Sequence, residues 1–281
     1  MEQYIQERDK MKPSHTRQRE YPVVKITSIP AFENNYFWVI QPDPAQDVVF
    51  VVDPGAAQPV LDYLHRHQLK LGAILITHRH NDHIGGVNDL LRLYPVSVYG
   101  PRAEAIPQVT VYLGDNDQFV LGGLTFHIIA VPGHTWEHIA FYLPHQQMLF
   151  CGDALFAGGC GRRFDGTAEI MWESLQKLAA LPDDTRIYCA HEYTLSNLRF
   201  ALAVEPDNID LQHRFHHVEQ LRAHQQITLP STILLEKRTN PFLRCQEYGA
   251  KVFIKSHSGE NPATAAEAFG ALRAIKDSWP A

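Results

Sequence analysis

Ala73-Ile74-Leu75-Ile76-Thr77-His78-Arg79-His80-Asn81-Asp82-His83 joins a short apolar run to a cluster of imidazoles and a carboxylate. Ala73 to Thr77 reads as a buried strand, since a short apolar, β-branched run suits a strand covered on both faces. His78, His80, Asp82 and His83 follow at its carboxyl end, four potential ligands within six residues. If the segment is the loop leaving that strand, all four side chains turn into one pocket. Imidazole together with carboxylate suits zinc, iron or manganese better than magnesium or calcium. The plain alternative is a solvated polar loop, which the density of donors at a strand end outweighs.

One cluster rarely completes two metal shells, so further donors are expected elsewhere. Three candidates share the same setting. His134 lies in Val131-Pro132-Gly133-His134-Thr135, after a strand from Leu124. Asp153 lies in Phe150-Cys151-Gly152-Asp153, after a strand from Met148. His191 lies in Tyr188-Cys189-Ala190-His191-Glu192, after a strand from Arg186 to Ala190. Glycine beside His134 and Asp153 allows a sharp backbone turn at each. By contrast, His65, His67, His213, His216, His217 and His224 sit in helical or polar stretches and read as surface residues.

The chain has 281 residues, 45% of them apolar and 20% charged, which fits a globular protein and not a disordered one. A net charge of -6 argues against nucleic acid as the main partner. No apolar run approaches the ~20 residues of a membrane span. Residues 1–21 are charge-rich without an apolar core, so they read as a flexible extension and not a secretory signal. The cytoplasm is the default compartment. Cys151, Cys160, Cys189 and Cys245 form no Cys-x-x-Cys pair and read as free thiols in a reducing compartment.

Strands and helices mix through residues 22–191, which predicts a layered α/β domain with strands packed between helices. From 192 to 281 the strand signal fades. Helices are expected from Leu198 to Val204, from Leu211 to Gln225, and from Thr264 to Lys276. The last has Asn261 as its expected N-cap and Pro262 at its first position. A smaller, mainly helical domain is expected there.

Together these segments resemble the metallo-β-lactamase superfamily, whose members use a strand-end His-x-His-x-Asp-His loop with later His, Asp and His ligands on an αββα sandwich. The resemblance implies one metal held by His78, His80 and His134 and a second by Asp82, His83 and His191. Asp153 would bridge them. Two divalent cations are implied, zinc foremost, with iron or manganese compatible. Gly159-Cys160-Gly161-Arg162-Arg163-Phe164-Asp165-Gly166-Thr167 and Ala190-His191-Glu192-Tyr193-Thr194 resemble segments of glyoxalase II enzymes (hydroxyacylglutathione hydrolases). Thr239-Asn240-Pro241-Phe242-Leu243-Arg244 and Arg273-x-x-Lys276 resemble their helical second domain. In that family Lys and Tyr often stand where this chain has Arg162 and Phe164. Arg162 keeps the charge, whereas Phe164 lacks a hydroxyl and can make only apolar contact.

The resemblance implies hydrolysis of a glutathione thioester such as S-D-lactoylglutathione, the second step of methylglyoxal detoxification. Arg162, Tyr193, Arg273 and Lys276 would hold the substrate, in a monomer with no nucleic-acid or membrane partner. Asp82 and Asp153 would be the catalytic carboxylates, with a metal-bound hydroxide as nucleophile. Arg273 and Lys276 lie three apart on an expected helix and so face the same way. Asn35-Tyr36 resembles a family motif near the site, without an assigned role. The competing readings are a glutathione persulfide dioxygenase with mononuclear iron, a ribonuclease of the same superfamily, and a non-catalytic binding module.

Overall fold

Successive residues of Asn35–Gln41 turn to different cores. Tyr36, Trp38 and Ile40 join one apolar cluster, while Phe37 and Val39 join another. Both faces of this strand are buried, which a continuous apolar run permits.

The computed structural model describes residues 23–279; the extension expected at residues 1–21 lies outside them. The first sheet runs in chain order through β1 (Lys25–Ala31), β2 (Asn35–Gln41), β3 (Val48–Val52), β4 (Lys70–Leu75), β5 (Ser97–Pro101) and β6 (Val111–Leu113). The second is built from β7 (Gln118–Leu121), β8 (Leu124–Ala130), β9 (Ile139–Leu143) and β10 (Met148–Gly152), continued by β13 (Arg186–Cys189) and β14 (Ser231–Thr232). Between β10 and β13 lies the small hairpin β11 (Leu155–Phe156) and β12 (Gly159–Cys160).

Helices α1 (Ala57–His67) and α3 (Val87–Leu93), separated by the single turn α2 (Asn81–Ile84), cover the outer face of the first sheet. Val60, Leu64, Val87 and Leu90 pack there on Val49, Val51, Ile74 and Ile76. Helix α4 (Ala168–Ala179) turns Met171, Leu175 and Leu178 toward the second sheet. The expected αββα sandwich is the observed one.

The remaining chain forms α5 (Thr194–Val204), α6 (Ile209–Ala223), α7 (Ile233–Thr239), α8 (Tyr248–Ser258) and α9 (Ala265–Asp277). Two expectations need correction. Asn261 does not cap the last helix, and Pro262 does not start it. Thr264 is the N-cap, and it forms a reciprocal capping box with Glu267 that satisfies two terminal donors. The strand-poor region also contributes β14, which pairs antiparallel with β13 and finishes the second sheet's edge. The strand before the histidine cluster runs Lys70–Leu75, ending two residues before Thr77. The cause is local: the Thr77 N–H donates to the Asp53 carboxylate at 2.8 Å, not to a neighbouring strand. Among the described residues no helix is long and apolar enough to cross a membrane.

Candidate metal centre

Each expected donor stands where a strand has just ended. His78 and His80 follow β4, with Asp82 and His83 on the turn α2; His134, Asp153 and His191 follow β8, β10 and β13. Gly133 (φ 138°) and Gly152 (φ 50°) adopt backbone conformations that L side chains rarely take. A Cβ on Gly152 would lie 2.4 Å from Thr77 Oγ1, so the turn into Asp153 requires glycine.

The seven side chains converge as two groups. His78, His80, His134 and Asp153 form one, and Asp82, His83 and His191 the other, each with its donor atoms within 4.8 Å of one another. His80 Nδ1 is 3.1 Å from His78 Nε2 and 2.9 Å from His134 Nε2. Asp153 faces both groups. Its Oδ2 is 3.4 Å from His134 Nε2, while its Oδ1 is 3.5 Å from His83 Nε2 and 3.3 Å from His191 Nε2.

Outer partners aim the imidazoles. His134 Nδ1 donates to the Arg162 carbonyl at 2.8 Å, His191 Nδ1 to Asn34 Oδ1 at 2.8 Å, and His83 Nδ1 to Asp53 Oδ2 at 3.0 Å. Each bond places the proton on Nδ1, so that in the neutral imidazole Nε2 is the lone pair facing the pocket. His83 Nε2 and Asp153 Oδ1 are buried and make no hydrogen bond among the described residues. An unpaired buried polar atom costs about 1–3 kcal/mol, and a cation between them removes that cost. The donor set therefore fits two metal ions.

The charges favour the same conclusion. Burial alone would lower His191, but Asp153 and Asp82 outweigh it and raise it to about 8. Burial would raise Asp153, yet His83 and His191 hold its carboxyl well below the usual range. The carboxylates thus draw positive charge into a buried pocket.

Three supports escaped the sequence reading. Asp53, seen there only as part of a turn, accepts from Thr77 N, Thr77 Oγ1 and His83 Nδ1. It stands at the end of β3, the setting that marked the donors, and that signal could have found it. His138 stacks on His78 with 4.6 Å between ring centroids, and its Nε2 accepts the Asp153 N–H at 3.1 Å. Asn35, which had no assigned role, donates from Nδ2 to Asp82 Oδ2 at 3.0 Å. The six histidines read as surface residues are all exposed.

Arg162, Tyr193, Arg273 and Lys276 line one cleft of about 210 Å³. Tyr193 also lines the adjoining cleft of about 360 Å³ that holds Asp82 and His191, so it joins the two spaces. Its ring stacks on His191 at 4.7 Å. Arg273 is buried and donates to the Cys160 carbonyl at 3.1 Å and to Asp277 Oδ1 at 3.0 Å. Arg162 Nε donates to the same Asp277 oxygen at 3.1 Å, so two guanidinium groups share one carboxylate. Lys276 Nζ lies 5.2 Å from the Phe200 ring centroid, and burial lowers its pKa.

A buried His/Asp cluster at the strand ends of an αββα sandwich defines a metallo-β-lactamase-type protein. Residues 31–191 match the model of the metallo-beta-lactamase superfamily, and residues 192–279 that of the hydroxyacylglutathione hydrolase C-terminus. The chain is 51% identical over 258 residues to a hydroxyacylglutathione hydrolase of Pseudomonas fluorescens, covering 92% of this chain and 100% of that protein. It is 48% identical to one of Chromohalobacter salexigens with the same coverage. Among solved structures, ETHE1 from Myxococcus xanthus is similar with a TM-score of 0.61 at 24% identity, over 90% of this chain and 99% of that one. A protein solved in a di-iron-bound form is similar with a TM-score of 0.54 at 25% identity, over 78% of this chain and 100% of that one. The chain belongs to the hydroxyacylglutathione hydrolase family.

Proposed function

We propose that this protein hydrolyses the thioester of S-(2-hydroxyacyl)glutathione, such as S-D-lactoylglutathione, to glutathione and a 2-hydroxy acid. The observation that carries the reading is the pair of donor groups facing Asp153, beside a cleft lined by cations. The near-full-length likeness to hydroxyacylglutathione hydrolases supplies the substrate class. Two donor groups favour a binuclear centre over the mononuclear iron of a persulfide dioxygenase.

In this reading His78, His80 and His134 would hold one ion and Asp82, His83 and His191 the other, with Asp153 available to both. Zinc fits the donors best; iron also fits, and the similar di-iron protein supports that. When bound, the ions supply an acidified water and polarise the thioester carbonyl. Asp82 and Asp153 offset part of their charge, and Asn35 fixes the Asp82 carboxylate. Tyr193 lines both the cleft beside Asp82 and His191 and the cation cleft, where its hydroxyl would donate to the substrate. Arg162, Arg273 and Lys276 hold glutathione carboxylates. Cys160 lines the cleft, but burial pushes its thiol up to about 11. It therefore stays protonated at neutral pH, consistent with no protein nucleophile.

Residues 22–191 act as the catalytic unit and 192–281 as the substrate-binding unit. Four free buried thiols are consistent with a cytoplasmic protein. The test is hydrolysis of S-D-lactoylglutathione by protein whose metals have been counted by elemental analysis. Turnover with two ions per chain supports the reading; two ions per chain with no turnover overturns it.

A further inference from the structure

Arg79 stands between two expected ligands, yet its own side chain joins no donor group. Its main-chain N–H donates to Glu137 Oε1 at 3.0 Å, and its Nη1 donates to the other oxygen of the same carboxylate. Its Nη2 donates to Asp165 Oδ2 at 2.8 Å. That Asp165 oxygen also accepts the Trp136 N–H at 2.9 Å, and the Asp165 N–H donates to the Gly133 carbonyl at 3.2 Å. One guanidinium thus ties together the loop of His78 and His80, the loop of His134, and the segment from Gly159 to Thr167.

The third of these carries substrate contacts. Between Arg162 and Asp165 the segment lies on the first donor group. The Arg162 carbonyl receives His134 Nδ1, and the Phe164 ring meets His80 and His134 edge-on at 5.4 and 5.3 Å between centroids. Phe164 and Arg162 are themselves more than half exposed, so burial does not hold either in place. The contacts that fix the segment's far end run through Asp165, whose side chain is only 19% exposed, as is Glu137's at 10%. Partly buried, charge-assisted bonds of this kind are stronger and more directional than exposed ion pairs.

We infer that Arg79 is a positioning residue, acting through Asp165 to hold the Arg162–Phe164 segment in register with the His78/His80/His134 group. It sets substrate affinity without contacting substrate or metal. The inference rests on the proposed glutathione thioester activity. A lysine cannot replace it, since a single ammonium does not span two carboxylates in the planar fork that arginine presents.

The test compares Arg79→Gln, Asp165→Asn and the double variant with the unaltered chain. Three readouts are taken: metals per chain, KM and kcat for S-D-lactoylglutathione, and calorimetric Kd for S-methylglutathione, a thioether with no scissile bond. Each single variant is expected to raise KM and Kd about threefold, within the loss expected for removing the Arg162 side chain itself, with two metals retained and kcat changed less, as loss of uniform binding predicts. The double variant is expected to stay near threefold instead of reaching about ninefold, since both changes break one linkage. Unchanged Kd in Asp165→Asn, factors that multiply in the double variant, or loss of a metal in Arg79→Gln overturns the inference. Asp165→Asn leaves the bonds of Arg79 to Glu137 intact, so it remains readable if Arg79→Gln does not fold. Failure of the unaltered chain to turn over the thioester tells against the activity, and the S-methylglutathione arm then still tests the linkage.

Discussion

The metal pocket and the cation cleft adjoin each other but are held in different ways. In the pocket, strand ends deliver the donors, five of the seven are buried, and His83, His134 and His191 each give their outer nitrogen to an oxygen acceptor. In the cleft, Arg162 is 55% exposed and Asp277 is shared between two guanidinium groups. The pocket is held by buried contacts within the protein itself. The cleft is lined by an ion pair in which Arg162 and Arg273 share Asp277. Such a division suits a reaction in which the charge-handling groups stay rigid while substrates enter and leave.

The largest expected effect comes from the residue that faces both donor groups. Asp153→Ala removes the oxygens that face His134 on one side and His83 and His191 on the other. Metal content should fall from two ions to below one per chain, and kcat/KM by more than the about 10–100-fold typical of residues that only orient ligands. Elemental analysis beside the thioester assay checks this. Retention of both ions would mean that the two groups do not depend on a shared carboxylate.

A smaller, unequal effect is expected at Asp53. Its carboxylate bonds directly to His83, whereas it reaches His78 of the other group only through the Thr77 hydroxyl, which lies 3.0 Å from His78 Nδ1. Asp53→Asn keeps the shape and removes the charge, so affinity should drop about 10–100-fold at the Asp82/His83/His191 group and less at the other. Stepwise metal titration would resolve two dissociation constants, one shifted more than the other. An equal shift in both would show the pocket to be a single cooperative unit.

How much of this was legible in the sequence follows from the same contrast. Donors at strand ends leave a local trace: an apolar run and then a ligand, with a glycine between them at His134 and Asp153. His78, His134, Asp153 and His191 carry that trace, and so does Asp53. His138 does not, because it precedes β9 of the second sheet and enters the pocket by stacking on His78, which follows β4 of the first, a contact that local sequence does not encode. The cleft left almost no trace of its own. Arg162 and Arg273 are 111 residues apart in sequence and meet only because α9 packs on α4 and returns to β12. Helical spacing did place Arg273 and Lys276 on one face, and both line the cleft. It could not show that Arg273 would be buried against the Cys160 carbonyl. The misplaced cap at Asn261 has a similar origin. Asn-Pro is a good start signal, but Thr264 with Glu267 satisfies two backbone donors where Asn261 would satisfy one.

The two arginines of the cleft provide the finest test of the contrast. Both bond to Asp277, but Arg273 is 8% exposed and also donates to the Cys160 carbonyl, whereas Arg162 lies largely in solvent. Hydrogen bonds to a charged, desolvated group contribute about 1.5–3 kcal/mol. Arg273→Ala should therefore raise KM for the glutathione thioester about tenfold or more, with kcat little changed. It should also lower Tm, because the cleft wall loses its buried support. An exposed ion pair contributes about 0–1 kcal/mol, so Arg162→Ala should raise KM less than about fivefold and leave Tm unchanged. Added salt separates the two further. Screening weakens the exposed contact and spares the buried one, so raising ionic strength should bring the unaltered chain's KM toward that of Arg162→Ala while the Arg273→Ala penalty persists. Equal KM effects for the two variants, independent of salt, would show that both guanidinium groups work from the same dielectric environment and that the cleft is as rigidly organised as the pocket beside it.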